Sequence, residues 1–172
     1  MTVMPTYTTV LTLDDLAGLS MDALSRLYAD GGRPNSLAAL NGSARGRLLT
    51  MAALERTPLS GVLRYLAASR FFPWQGKHFD TRARKSGHGD NRIRLPFYRG
   101  HWFGFRTKIG RSLLDGQECV LLDYDSASNP RPLRRIRDEL REVMPGLYLG
   151  PALWQQHKEA PVLRLWLALD TR

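Results

Sequence analysis

After residue 73 the chain alternates between short apolar runs and turn chemistry. The runs are "GKHFDTRA", "NRIRLPFY", "HWFGFRTK", "ECVLLDYD", "LYLGPALW" and "VLRLWLALD"; "KSGHGDN", "RG", "RSLLDGQ" and "QQHKEAP" separate them. Apolar residues at every second position, bounded by Gly, Asn, Asp and Ser, mark half-buried strands. With "RGRLLTMAAL" ahead of them, the runs predict about seven strands joined mostly by short loops. Short loops mean an antiparallel meander, because parallel strands need crossovers of about a dozen residues or more. A sheet of about seven to eight such strands has edges to hide, and closing into a barrel removes them.

Helical periods precede and interrupt this pattern. Residues 1–19 read as an arm with Asp14 and Asp15 in a turn. Ser20 then caps a helix, "MDALSRLYADGG", with Met21, Leu24, Leu27 and Tyr28 on one side and Gly31–Gly32 at its end. "RPNSLAALNGSARG" is a connector with turn signals at Pro34-Asn35 and Asn41-Gly42. "TPLSGVLRYLAASRFF" is a helix opened by Thr57-Pro58, with Leu59, Val62, Leu63, Leu66 and Arg70 along its stripe.

A last helix is predicted over 129–144, in "NPRPLRRIRDELREVMPG". Asn129 is its N-cap, Pro130 its first residue and Pro145-Gly146 its stop, while Leu133, Ile136, Leu140 and Val143 form the stripe. Arg134–Asp138 and Arg135–Glu139 fall at i,i+4 and Asp138–Arg141 at i,i+3, each pair worth about 0.2–0.5 kcal/mol. The expected fold is therefore α+β, mainly β. It comprises an antiparallel barrel of about seven to eight strands, an N-terminal helical segment, and an amphipathic helix before the last two strands. Residues 1–172 make one domain, with the arm and helix in 1–42 and the barrel with its packed helices in 43–172.

Composition narrows the class. The 172 residues suffice for a core, and no apolar run approaches the ~20 residues that span a bilayer. "MTVMPTYTTVLTLDDLAGL" lacks the basic and apolar regions of a signal peptide, and the single Cys119 builds no internal disulfide, so a cytoplasmic protein is expected. The net charge of +9 is concentrated in residues 45–111, where twelve Arg and three Lys face three acids. Such a field attracts anions. Arg outnumbers Lys 21 to 4, however, as a GC-rich coding sequence also gives, and a solvated basic face is the simpler reading.

The stretches "FPWQGKHFD", "SLLDGQECVLLDYD", "NPRPLRRIRDELREVMPGLYLG" and "LWLALD" add a resemblance. Over roughly residues 40–170 the chain resembles a family of uncharacterised bacterial proteins with lipocalin-like, or calycin, β-barrels. That resemblance implies a cup-shaped barrel with an apolar ligand. It transfers no catalytic residue.

Candidate chemistry is sparse. The acids of "DYD", Asp123 and Asp125, share one strand face, about 7 Å apart, and Tyr124 takes the other. They suit acid/base work, but an Arg partner for Asp123 and a turn role for Asp125 explain them better. In "GKHFD", His78 and Asp80 share a face and form a candidate dyad without a visible nucleophile. His78, His88, His101 and His157 show no metal-ligand spacing, and no phosphate-loop, dinucleotide or nucleophile-elbow motif occurs, so neither metal nor cofactor is expected. Arg82, Arg84, Arg92 and Arg94 flank "KSGHGDN", as an anion clamp, a phosphate-contacting ribbon or a solvated hairpin face. Phe97, Tyr98, Trp102, Phe103 and Phe105 cluster around "RG", with Trp154 and Trp166 in the last strands, as core, ligand lining or a base-stacking platform.

The leading expectation is a small-molecule binder enclosing an apolar or amphipathic, anionic (fatty-acid-like) ligand. Its ligand-binding candidates are Lys77, Arg92, Arg94, Trp102, Phe105, Tyr148 and Trp166. The rival is an enzyme using the same pocket, with His78, Asp80, Asp123 and Tyr124 as acid/base residues. A third reading, disfavoured, binds nucleic acid through the basic hairpins. Oligomeric state is not legible.

Overall fold

Eight segments form ladders, each with its neighbours in sequence: β1 (Gly42–Met51), β2 (Trp74–Asp80), β3 (Ser86–Leu95), β4 (Tyr98–Arg111), β5 (Glu118–Asp123), β6 (Ile136–Met144), β7 (Leu147–Trp154) and β8 (Val162–Asp170). All pairings are antiparallel, and β8 returns to β1 through partners such as Arg45–Asp170 and Met51–Leu165. The sheet is a closed barrel without an open edge. This computed structural model describes residues 10–172, except Glu55, Arg56, Pro58, Arg70, Ala83, Arg84, His157 and Lys158 and the side chains of Ser60, Leu63 and Arg64. The predicted roles of residues 1–9, Pro58, Leu63, Arg70, Arg84 and His157 lie outside the described residues.

Alternation fills the barrel. Phe79, Phe105, Val120, Leu122, Leu140, Tyr148, Leu167 and Leu169 pack in one interior cluster. The predicted connector holds a short 3₁₀ turn, Leu37–Leu40, whose two buried leucines join that cluster and stop one end of the barrel. Strand direction puts the starts of β1, β3, β5 and β7 at this end. The opposite end holds the starts of β2, β4, β6 and β8.

A second core lies outside the wall. Helices α1 (Leu13–Ala17) and α2 (Met21–Asp30) lay Leu16, Ala17, Leu24 and Tyr28 on the outer faces of Leu49, Leu149, Trp166 and Ala168. Ser20 caps α2 as its sequence predicts. The expected turn at Asp14–Asp15 is instead helix α1, because Thr12 and Asp15 form a reciprocal capping box. Helix α3 (Leu59–Ala68) forms as expected, but Leu59, Val62 and Leu66 of its apolar stripe are exposed.

The predicted helix over 129–144 is overturned. Only Leu133–Arg135 is helical, as one 3₁₀ turn, and Ile136 to Met144 is strand β6. Three buried charges misled the period. Asp138 points into the barrel, while Glu139 and Arg141 are buried under α2. A strand with polar residues on both faces has no visible alternation, and its charges imitate a solvated helix face. The supposed i,i+4 pairs do not form: Arg134 bonds to the carbonyls of Asn129 and Ala127, and Asp138 pairs with Lys77. Two loops also move. Residues 86–91 of the expected "KSGHGDN" loop belong to β3, and the β3–β4 hairpin turns at Pro96-Phe97 while Arg99 and Gly100 pair within β4.

Candidate functional site

Alternation along β2 sends Lys77 and Phe79 into the barrel and His78 and Asp80 out of it. Tyr124, just beyond β5, continues the inward row of Val120 and Leu122. Asp138 takes the inward place between Ile136 and Leu140 on β6, and Asn91 enters from β3. Lys77, Asn91, Tyr124 and Asp138 are all buried, and they converge.

The Lys77 ammonium stands 2.8 Å from Asp138 Oδ2, donates to the Tyr124 hydroxyl at 2.5 Å and to Asn91 Oδ1 at 2.9 Å. Tyr124 donates to Asp138 Oδ2 at 3.0 Å. The Asn91 amide donates to Tyr124 Oη and to the carbonyl of Phe103, both at 3.1 Å, and Trp74 Nε1 donates to Asn91 Oδ1 at 3.0 Å. A buried ammonium is costly unless paired and hydrogen-bonded. Here it has a carboxylate, two further acceptors and the rings of Phe105 and Tyr124, with centroids at 5.2 Å.

Phe103 has φ of 57°, a left-handed conformation unusual for an aromatic residue, at a register shift between β3 and β4. The kink sits between two anchors: Asn91 holds the Phe103 carbonyl, and Asn129 donates to the Gly104 carbonyl at 2.7 Å. Phe103 and Phe105 thereby both serve the interior.

Above the cluster is a cavity of about 350 Å³. Lys77, Asn91, Tyr124 and Asp138 supply its polar groups. The rest of its wall is apolar and aromatic, from Leu48 and Trp74 to Ala152 and Leu167. Phe72, Trp74, Ile93, Leu133, Ile136 and Leu165 are half-buried, so they form the side nearer solvent. Burial, and then the Asp138 charge, raise the Tyr124 phenol well above its ordinary pKa, so it is protonated at neutral pH.

Sequence candidates scatter around this site. Lys77 and Tyr124 are in it, and Phe105 packs beneath it, edge-on to Tyr124. His78 is on the outer face, near Ser43 Oγ at 3.1 Å and stacked edgewise with His101. Asp80 is also outside, beside Arg82 and His88, each 3.7 Å away. Asp123 pairs with Arg106 at 3.4 Å, and Asp125 begins a turn with its amide on Asp123. The four acid/base candidates thus point to opposite sides of the wall and share no pocket.

Arg92 and Arg94 border a shallow polar groove on the outer surface, and Trp102 is exposed beside Tyr98. Tyr148 is buried in the interior cluster but does not line the cavity. Trp166 faces outward, under α2, edge-on to Tyr28 at 5.6 Å. The remaining arginine concentration, Arg131, Arg134, Arg135 and Arg137, lines a separate outer groove with Asp123 and Asp125. Among the described residues no cluster of His, Cys, Asp and Glu is arranged to hold a metal ion.

A second buried polar group fastens α2 to the wall. Glu139 accepts from Tyr28 Oη at 2.9 Å, Ser112 Oγ at 2.5 Å and the Leu113 amide at 2.7 Å. Arg141 lies over the Tyr28 ring and makes a bidentate pair with Asp115, at 2.6 and 2.7 Å.

Sequence reasoning missed Asn91, Asp138 and Trp74. A signal existed for Asp138: a lone carboxylate between two apolar residues at i−2 and i+2, in a segment that also reads as a strand. "KHF" carried the matching sign for Lys77, whose alternate is Phe79.

Comparison with known proteins adds the fold. No protein-family model matches the chain, and neither does any curated protein. A crystal structure of a protein from Thermomonospora curvata matches with a TM-score of 0.55 at 18% identity, covering 90% of this chain and 88% of that one. The likeness is one of fold alone. Among the described residues, no helix is long and apolar enough to cross a membrane.

Proposed function

We propose that this protein is a calycin-like binding cup that holds an apolar or amphipathic small molecule in the barrel. The observation that carries the reading is the cavity of about 350 Å³, apolar except for four convergent buried polar groups. Small-molecule sites have this form, with volumes of about 300–1,000 Å³ and a few placed polar groups that orient the guest. The polar cluster at its inner side and the half-buried apolar side toward solvent suit a ligand entering head first. The barrel end stopped by Leu37 and Leu40 supports a cup rather than a channel. The sequence resemblance to lipocalin-like barrels points the same way, and the cytoplasm is the proposed compartment.

Native mass spectrometry of the purified protein tests this reading, since a carrier retains a stoichiometric small molecule or takes one up from a mixture of neutral and anionic amphiphiles. Failure to bind any of them would remove it.

A further inference from the structure

We infer that the cavity selects a neutral ligand whose polar end is a hydroxyl, and that it rejects a carboxylate. This rests on the binding reading above and specifies the head group. Lys77 donates to Tyr124 and to Asn91, and its ammonium is held as an ion pair against Asp138 Oδ2 at 2.8 Å. The Tyr124 proton goes to Asp138. Both amide protons of Asn91 are used, on Tyr124 and on the Phe103 carbonyl, and the Trp74 indole proton is on Asn91. Every donor group in the cluster is therefore engaged inside it, by hydrogen bonds or by the Lys77–Asp138 ion pair.

The acceptors are not all spent. Both contacts to Asp138 fall on Oδ2, and the described residues give its other oxygen, Oδ1, no donor. Asp138 also lines the cavity. A carboxylate oxygen on the cavity wall without a protein donor is an acceptor open to a guest. A guest hydroxyl meets it. A guest carboxylate finds no free donor and sets a second negative charge beside Asp138, whose positive partner is already engaged, in a water-poor site. An ammonium guest would meet Lys77 with like charge. An ether can accept but not donate, so it gains nothing there.

The test uses three ligands of matched length, 1-decanol, decanoate and methyl nonyl ether, titrated into ¹⁵N-labelled full-length protein near neutral pH and followed by amide chemical shifts. Decanol is expected to bind at least about tenfold more tightly than the other two, the size of one charge-assisted hydrogen bond. In Asp138→Asn the lone Lys77 cation is expected to invert the order and favour decanoate. Should that variant not fold, the double variant Lys77→Met/Asp138→Leu removes both charges and is expected to bind decanol and the ether alike. Equal or tighter binding of decanoate by the unmodified protein would overturn the inference and leave the cavity as a binding site. Absence of binding by all three would overturn both.

Discussion

Lys77 Nζ and Asp138 Oδ2 stand 2.8 Å apart across the barrel interior, on β2 and β6, which lie four strands apart in a ring of eight. The pair ties opposite walls together, and each partner is nearly inaccessible to water. Removing one charge strands the other, at a cost of about 3–5 kcal/mol, whereas removing both in apolar form is often neutral or stabilising. Asp138→Leu is therefore expected to lower the urea midpoint sharply, and Lys77→Met/Asp138→Leu to restore most of it. A double variant as unstable as the single one would show that the pair contributes more than it costs.

Ala152 lines the cavity from β7, and its small side chain leaves room that a larger one would occupy. Ala152→Phe is expected to abolish uptake of apolar ligands while the far-ultraviolet circular dichroism is unchanged. Undiminished uptake would place the binding elsewhere, for instance in the arginine-lined outer grooves.

Asp115 titrates below its ordinary value of 3.8, because the hydrogen bonds from Arg141 favour its charged form over the opposing effect of burial. A lowered carboxylate pKa stabilises the fold fully above the unfolded value and loses that contribution as pH falls through the folded one. Asp115 is part exposed, so about 1 kcal/mol is the expected size. Asp115→Asn should thus be less stable than the unmodified protein at neutral pH, with the difference shrinking steadily below about pH 4. Thermal melts of both proteins across that range would show it.

Cys119 is fully buried on the wall beneath α2, and burial, reinforced by the Glu139 charge, pushes its thiol up to about 12. Thiolate is the reactive form, so the folded protein should react negligibly with a disulfide reagent near pH 8. One thiol should appear on unfolding. Rapid labelling of native protein would mean that α2 detaches readily.

At Gly150, β7 runs tight against the β6 backbone: an added Cβ would sit 1.5 Å from the Glu139 carbonyl oxygen. Backbone atoms cannot step aside as a flexible side chain can, so Gly150→Ala should destabilise the barrel by about 3 kcal/mol or more, through overpacking. Chemical denaturation measures it, and a loss under about 1 kcal/mol would mean that the two strands can separate locally.

The barrel was legible because alternation and short loops are local properties, and they predict an antiparallel sheet that must close. Lys77 was legible as a site candidate, and Tyr124 opposite Asp123 was assigned to the correct strand face. Asp138 and the whole of β6 were not. Its charges are satisfied by Lys77 on the facing wall and by Tyr28 and Asp115 outside it, partners that no window of sequence contains. By itself, then, the sequence determined the strand periodicity and the meander, which each residue's neighbours dictate. Only the tertiary structure decided which charges are buried and which side of the wall His78, Asp80, Trp166 and Asp138 occupy. Burial of a charge depends on a partner brought from far along the chain, and the pattern of apolar and polar residues records only where water would otherwise be.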